Sequence, residues 1–181
     1  MTRSFEDYVF FWRPSGPNGW ASQWHPSRFR ASIVFSGTDK PEEVVFPTAE
    51  HWMMVQKALL FGDIDIARKT IAIKGSKSAD CAKVRGMGRK VKNFDEGVWL
   101  EARERIVLEG TLHKFRQNSE LWRTLDATGD RILVEASPFD AIWGIGFEAK
   151  HALRQGEDKW GLNLLGKALM QARGIIRKEG I

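Results

Sequence analysis

Residues 131–153 read RILVEASPFDAIWGIGFEAKHAL, and the fold turns on how the two ends of that stretch are joined. The apolar run at 131–136 has the composition of a strand, and 147–153 has helical character. Between them Glu135, Asp140 and Trp143 fall within nine residues, with Gly144 and Gly146 just behind. From Gly144 the letters GIGFEA match a loose form of the dinucleotide-binding fingerprint, which would imply a doubly wound α/β fold. That fingerprint needs glycines tight against a strand, a βαβ unit and an acid ~20 residues further on. Here seven residues separate LVEA from the first glycine, and position 166 is itself glycine. The Rossmann reading fails on that spacing. Two readings of the loop stay open. It is a pocket wall whose glycines let a phosphorylated ligand approach backbone N–H groups near a helix start, or it is an ordinary tight connection.

Working outward, the chain divides by hydrophobic period. YVFFW, ASIVFSG and EVVF read as short strands, separated by PSGPNG and TDKPEE and stopped by Pro47. From Thr48, a plausible N-cap, a helix runs to about Leu60 with Trp52, Val55 and Leu59 on one face. DIDIARKTIA forms a second helix. A longer one covers about 95–112, with Trp99, Ala102, Ile106 and Gly110 on one face. SELWRTLDATG is a short helix ending at Gly129, and RILVEA is the clearest strand of the second half. The last helix, about 162–178, carries Leu162, Leu165, Leu169, Ala172 and Ile176 in one stripe. Its Arg173, Arg177 and Lys178 suit the negative end of the dipole. The expectation is an α-rich α+β fold, one domain over 1–181, with helices around a small, mostly antiparallel sheet.

Composition bounds the function. A chain of 181 residues can bury roughly 70% of its unfolded surface in one domain. Cys81 is the only cysteine, so no internal disulfide forms. The first apolar run is too short for a secretory signal, and no segment approaches ~20 apolar residues. A soluble intracellular protein without a membrane partner is expected. The formal charge is +5, spread along the chain, which favours a polyanionic partner only weakly. Eight tryptophans and eleven phenylalanines stand beside a single tyrosine. Most will be core, and those beside Arg and Gly suit base stacking.

Neither a metal nor a cofactor is expected: His25, His51, His113 and His151 are scattered, and no zinc-site spacing, nucleophile elbow or Walker loop occurs. The Glu50–Lys57 pair carries more. Seven residues is almost two helical turns, so both share a face about 10.5 Å apart. Their neighbours, HWMMVQ and ALLF, are apolar, which implies a half-buried carboxylate and amine with perturbed proton affinities. RGMGRK offers Gly86, Gly88 and Arg89 as a tight basic turn, suited to phosphate or simply to a surface. Lys114 and Arg116, in HKFRQN, read as a solvated helix end.

These blocks together resemble one family. FFW, FPTAEHWMMVQKALLFGD, GMGRKV, KFRQN, LDATGD, LVEASPFDAIWGIG and WGLNLLGKALMQAR are similar, in order and over residues 8–174, to the NADAR family, also called YbiA-like. The resemblance implies a compact α+β fold and N-glycosidase chemistry on ribosides, with an ADP-ribose-containing ligand, in some members on DNA or RNA. It implies Lys57, Glu50 and Asp140 as catalytic residues. It implies Arg89, Trp99, Glu135, Trp143, Gly144 and Gly146 as pocket residues, and Phe11, Trp12 and Gly88 are expected to bind ligand beside them. One departure is notable: where many members have Ser-Asn-Phe, this chain has Ser22, Gln23 and Trp24. Three functions follow: a hydrolase of ADP-ribosylated guanine, a glycosidase of riboflavin-pathway phosphoribosylaminopyrimidines, or a silent ADP-ribose reader. The retained Glu–Lys pair argues against silence.

Overall fold

The computed structural model describes residues 3–35, 37 and 40–180. The chain forms two compact units, Gln23–Asn118 and the paired terminal segments Met1–Ser22 with Ser119–Ile181. The class is the α-rich α+β one expected, with seven α-helices and two strand pairs among the described residues.

In the Gln23–Asn118 unit, β2 (Phe29–Ile33) pairs antiparallel with β3 (Glu42–Phe46), Phe29 opposite Phe46. The strand expected over 31–37 starts two residues earlier and stops at Ile33; its Ser36, with Thr38 and Asp39 of the expected turn, lies outside the described residues. On β2, Phe29, Ala31 and Ile33 point inward while Arg30 and Ser32 face solvent, the alternation of a half-buried strand. Pro47 ends β3, and helix α1 (Ala49–Leu60) begins behind Thr48. Helix α2 (Ile64–Ala72) is capped by Asp63, whose carboxylate accepts from the Ile66 and Lys92 amides at 3.1 and 2.9 Å. Asp95 likewise caps α4 (Glu96–Arg116) through Val98 N–H at 2.9 Å. The core is aromatic. Phe29 stacks on Phe46 at 5.5 Å and on His113 at 5.8 Å, and Trp52 meets His113 edge-on at 5.0 Å. The Trp52 indole donates to the Ile106 carbonyl at 2.9 Å, and a Cβ on Gly110 would come within 2.4 Å of its ring. Gly110 is there to admit an indole.

Helix α3 (Ser78–Gly88) corrects the expected Gly86–Gly88–Arg89 turn. Those glycines close a helix, and Arg89 is its exposed C-cap. A Cβ on Gly88 would lie 2.0 Å from Met54 Sδ, so that glycine sets the distance between α3 and α1.

In the terminal unit, β1 (Tyr8–Phe11) runs parallel to β4 (Ile132–Glu135), Tyr8 beside Ile132 and Phe11 beside Glu135. This parallel pair is the part that a mostly antiparallel expectation lacked. All of β1 is buried, as parallel strands covered on both faces are. The core joins Tyr8, Phe10, Val134, Ala136 and Ile145 to Ala152 of helix α6 (Ala149–Gln155). Helix α5 (Ser119–Asp126) and helix α7 (Leu164–Glu179) complete the unit. On α7 the stripe Leu165, Leu169, Ala172 and Ile176 is buried, whereas Leu162 lies ahead of the helix and is exposed. Arg173 is no dipole partner: it is buried and donates to Thr128 Oγ1 and the Arg131 carbonyl. Arg177 holds Asp126 and Asp130 at 2.6 and 3.2 Å. No helix among the described residues is long and apolar enough to cross a membrane.

Candidate functional site

Helix α1 carries Glu50 in its first turn and Lys57 in its last. Glu50 is 7% exposed and Lys57 is half-buried, as their apolar surroundings implied. The Lys57 ammonium lies 4.5 Å from the Phe94 ring centroid and 5.3 Å from that of Trp99. Burial lowers the Lys57 pKa from its ordinary value, so more of it is free amine near neutrality. Trp99 is therefore a half-buried wall beside Lys57 rather than plain core. Phe94 escaped the sequence reading. Its signal was present: Phe94 precedes the Asp95 cap and Trp99 is the fourth helical residue, the positions of a hydrophobic staple.

The other end of α1 is held by polar contacts. The Glu50 amide donates to the Gln23 carbonyl at 3.1 Å, placing the departure from the family pattern directly at the glutamate. Gln23 Oε1 is buried without a hydrogen-bond partner among the described residues, an arrangement that costs ~1–3 kcal/mol until something donates to it. Thr48 Oγ1 and the His51 ring are hydrogen-bonded at 2.8 Å. Burial takes the His51 pKa down to about 4 and pushes the Cys81 thiol up to about 11, the latter with help from Glu50 and Asp80. Such a thiol is no nucleophile at neutral pH.

Lys114 corrects the expectation of a solvated helix end. It is 2% exposed, and burial brings its pKa to about 7. The HKFRQN block also closes the edge of β2: Gln117 accepts from the Arg30 amide and donates to the Arg30 carbonyl, both at 2.8 Å. Arg89 is exposed, and a Cβ on Gly88 would meet Met54.

In the terminal unit, Phe11 is 2% exposed and belongs to the core. Trp12, half-buried, lies with its ring 5.9 Å from that of Phe139, and the Arg13 guanidinium sits 4.4 Å over it. Glu135 ends β4 half-buried. Asp140 Oδ1 accepts from the Ile142 and Trp143 amides at 2.9 and 2.8 Å, shaping the loop that presents the half-buried Trp143. The Gly146 amide is spent within the loop rather than on the phosphate expected. Gly146, at φ +75°, donates to the Asp140 carbonyl at 3.0 Å, and Ile145 donates to Glu135 at 2.9 Å. A Cβ on Gly144 would lie 2.6 Å from the Glu135 carbonyl oxygen. Helix α6 begins only at Ala149, so its N-terminal field does not act at these glycines. The loop is instead welded to 161–165, whose amides donate to the carbonyls of residues 141–145. Among the described residues, no group of three or more His, Cys, Asp or Glu is placed to hold a metal ion.

The chain is similar to several known proteins. Over 84% of each chain it is 43% identical to "N-glycosidase R617" of Acanthamoeba polyphaga mimivirus. It is 29% identical over 96% of its own length to "Riboflavin biosynthesis protein VVA0006" of Vibrio vulnificus, spanning 40% of that longer protein. The NMR structure of E. coli YbiA superposes with a TM-score of 0.67 at 25% identity, covering 96% of this chain and 86% of that one. The NADAR domain profile matches residues 10–177, and the chain therefore belongs to the NADAR family.

Proposed function

We propose that this protein removes ADP-ribose from guanine, cleaving the ribose C1–N bond. An N-glycosidase is a hydrolase of N-glycosyl bonds, and named relatives are N-glycosidases. The carrying observation is Lys57, a half-buried amine whose pKa burial lowers, on the same helix as a buried glutamate.

The chemistry follows from these residue types. Departure of guanine develops oxocarbenium character at C1, which a nearby carboxylate stabilises. Lys57 Nζ attacks C1 as the C1–N bond breaks, and the bonding pair leaves with guanine, protonated from Glu50. Opening of the ribose ring through C1–O4 gives a Schiff base to Lys57, with the proton lost from nitrogen returned to O4. Water adds to C1 and releases ADP-ribose and the free amine. Trp99 walls the amine from water.

The test is a mass-spectrometric assay on guanine-ADP-ribosylated DNA with wild type, Glu50→Gln and Lys57→Ala. Release of ADP-ribose and restored guanine by wild type alone supports the reading. The riboflavin relative gives a second reading, a phosphoribosylaminopyrimidine substrate. Turnover of that compound, with none of ADP-ribosylated guanine, would replace the first.

A further inference from the structure

Within the terminal unit a cleft opens apart from the 137–146 loop. Its volume is about 450 Å³, in the range that takes a small molecule. One wall is the start of β1, at Tyr8 and Val9. The other is the face of α5 that carries Arg123 and Thr124 and runs on to Arg131. Asn18 and Trp20 close the cleft from the loop after β1. Strand β1 leads away from it, and ~10 Å of extended chain separates Tyr8 from Phe11, the residue beside Glu135.

Two guanidiniums and no carboxylate line this cleft among the described residues. Arg131 is held in place: its Nε and Nη2 donate to the Thr128 and Ala127 carbonyls at 3.0 and 3.3 Å, which leaves Nη1 over. Arg123 is exposed, and no acid among the described residues holds it. The acids of the neighbouring segments are committed elsewhere. Arg177 holds Asp126 and Asp130, Arg3 holds Glu157, and Asp7 accepts from the Ser4 amide. Glu6 and Glu120 are exposed and do not line the cleft, so water and salt screen them. The remaining groups suit a flat ring. Trp20 sits on the 3-10 turn Gly19–Ala21 and brings an indole. Asn18 Nδ2 donates to the Phe10 carbonyl at 2.9 Å, on the edge of β1 away from β4. The strand's period of two puts the Tyr8 carbonyl on that same open edge, an acceptor for a ring N–H.

We infer that this cleft binds a purine mononucleotide, with its phosphate across Arg123 and Arg131 and its base against Trp20. Planar guanidinium forks match phosphate oxygens, and an indole face matches a base. The site stands apart from the proposed glycosidase chemistry: all its residues belong to the terminal unit, and none is Lys57, Glu50 or Asp140.

The test titrates the full chain calorimetrically with inosine 5′-monophosphate, inosine and inorganic phosphate, and locates binding by amide shifts in the ¹⁵N-labelled chain. The nucleotide should bind and shift Asn18, Trp20 and Thr124, with inosine at least about tenfold weaker. Arg123→Ala is expected to weaken the nucleotide about 10- to 100-fold. Arg123→Lys keeps the charge without the fork and should fall between the two. Because Arg123 is exposed, circular dichroism and the melting temperature should be unchanged in both variants. Absence of nucleotide binding overturns the inference, as does equal affinity in wild type and Arg123→Ala. Shifts confined to Lys57 and Trp143 also overturn it, and so does inorganic phosphate binding as tightly as the nucleotide.

Discussion

At the residue scale, the pair on α1 was the most legible feature. Helical spacing predicts a shared face, apolar neighbours predict burial, and both hold for Glu50 and Lys57. Replacing Lys57 by Arg keeps a cation beside Phe94 and Trp99 but removes the nucleophile; turnover should fall by at least about 10³-fold with the melting temperature retained. Glu50→Gln keeps the shape and removes the charge, with an expected loss of ~10²–10³-fold in kcat. Because burial lowers the Lys57 pKa, the reactive free amine increases as pH rises through that lowered value. The rate should climb and level off below the pH of an ordinary lysine, which a pH–rate profile reads directly. Lys114 was illegible for a physical reason: burial of a single side chain depends on residues distant in sequence, and local pattern placed it at a helix end that usually faces water.

At the element scale, the helices whose apolar stripe is regular were readable, α1, α2, α4 and α7 within a few residues of their ends. Helix α3 was not, because Gly86 and Gly88 read as breakers, when Gly88 is there to admit Met54 and a Cβ on Gly86 would meet nothing within 4 Å. Gly88→Ala should cost about 1–3 kcal/mol in urea unfolding, and pairing it with Met54→Ala should recover part of that loss. The parallel β1–β4 pair was equally hidden: its strands lie more than a hundred residues apart in sequence. Both strand pairs are finished by side-chain amides. Asn163 accepts from the Glu135 amide at 3.0 Å and donates to the Leu133 carbonyl at 2.9 Å, as Gln117 does for Arg30. Asn163→Ala removes two such bonds, and the expected loss is ~2–3 kcal/mol by denaturant titration.

At the scale of the whole molecule, buried bases make stability depend on pH. The His51 pKa of about 4 lies below the unfolded value of 6.5, so between those limits the unfolded chain binds the extra proton. Stability should rise as pH goes from 4 to 6.5, and His51→Gln should flatten that rise in thermal melts. Lys114 acts in a second window. With a folded value of about 7 against 10.5, it adds stability as pH rises from 7 to 10.5, and Lys114→Met should lack that slope. The family was legible from long sequence blocks, and the profile over 10–177 bears that out. The most direct test of the central claim is reductive trapping: borohydride added during turnover of guanine-ADP-ribosylated DNA, followed by peptide mass mapping. The account predicts a stable ribosyl adduct on Lys57, absent from Lys57→Arg. Full turnover with no adduct, or an adduct on Lys114 instead, would contradict it.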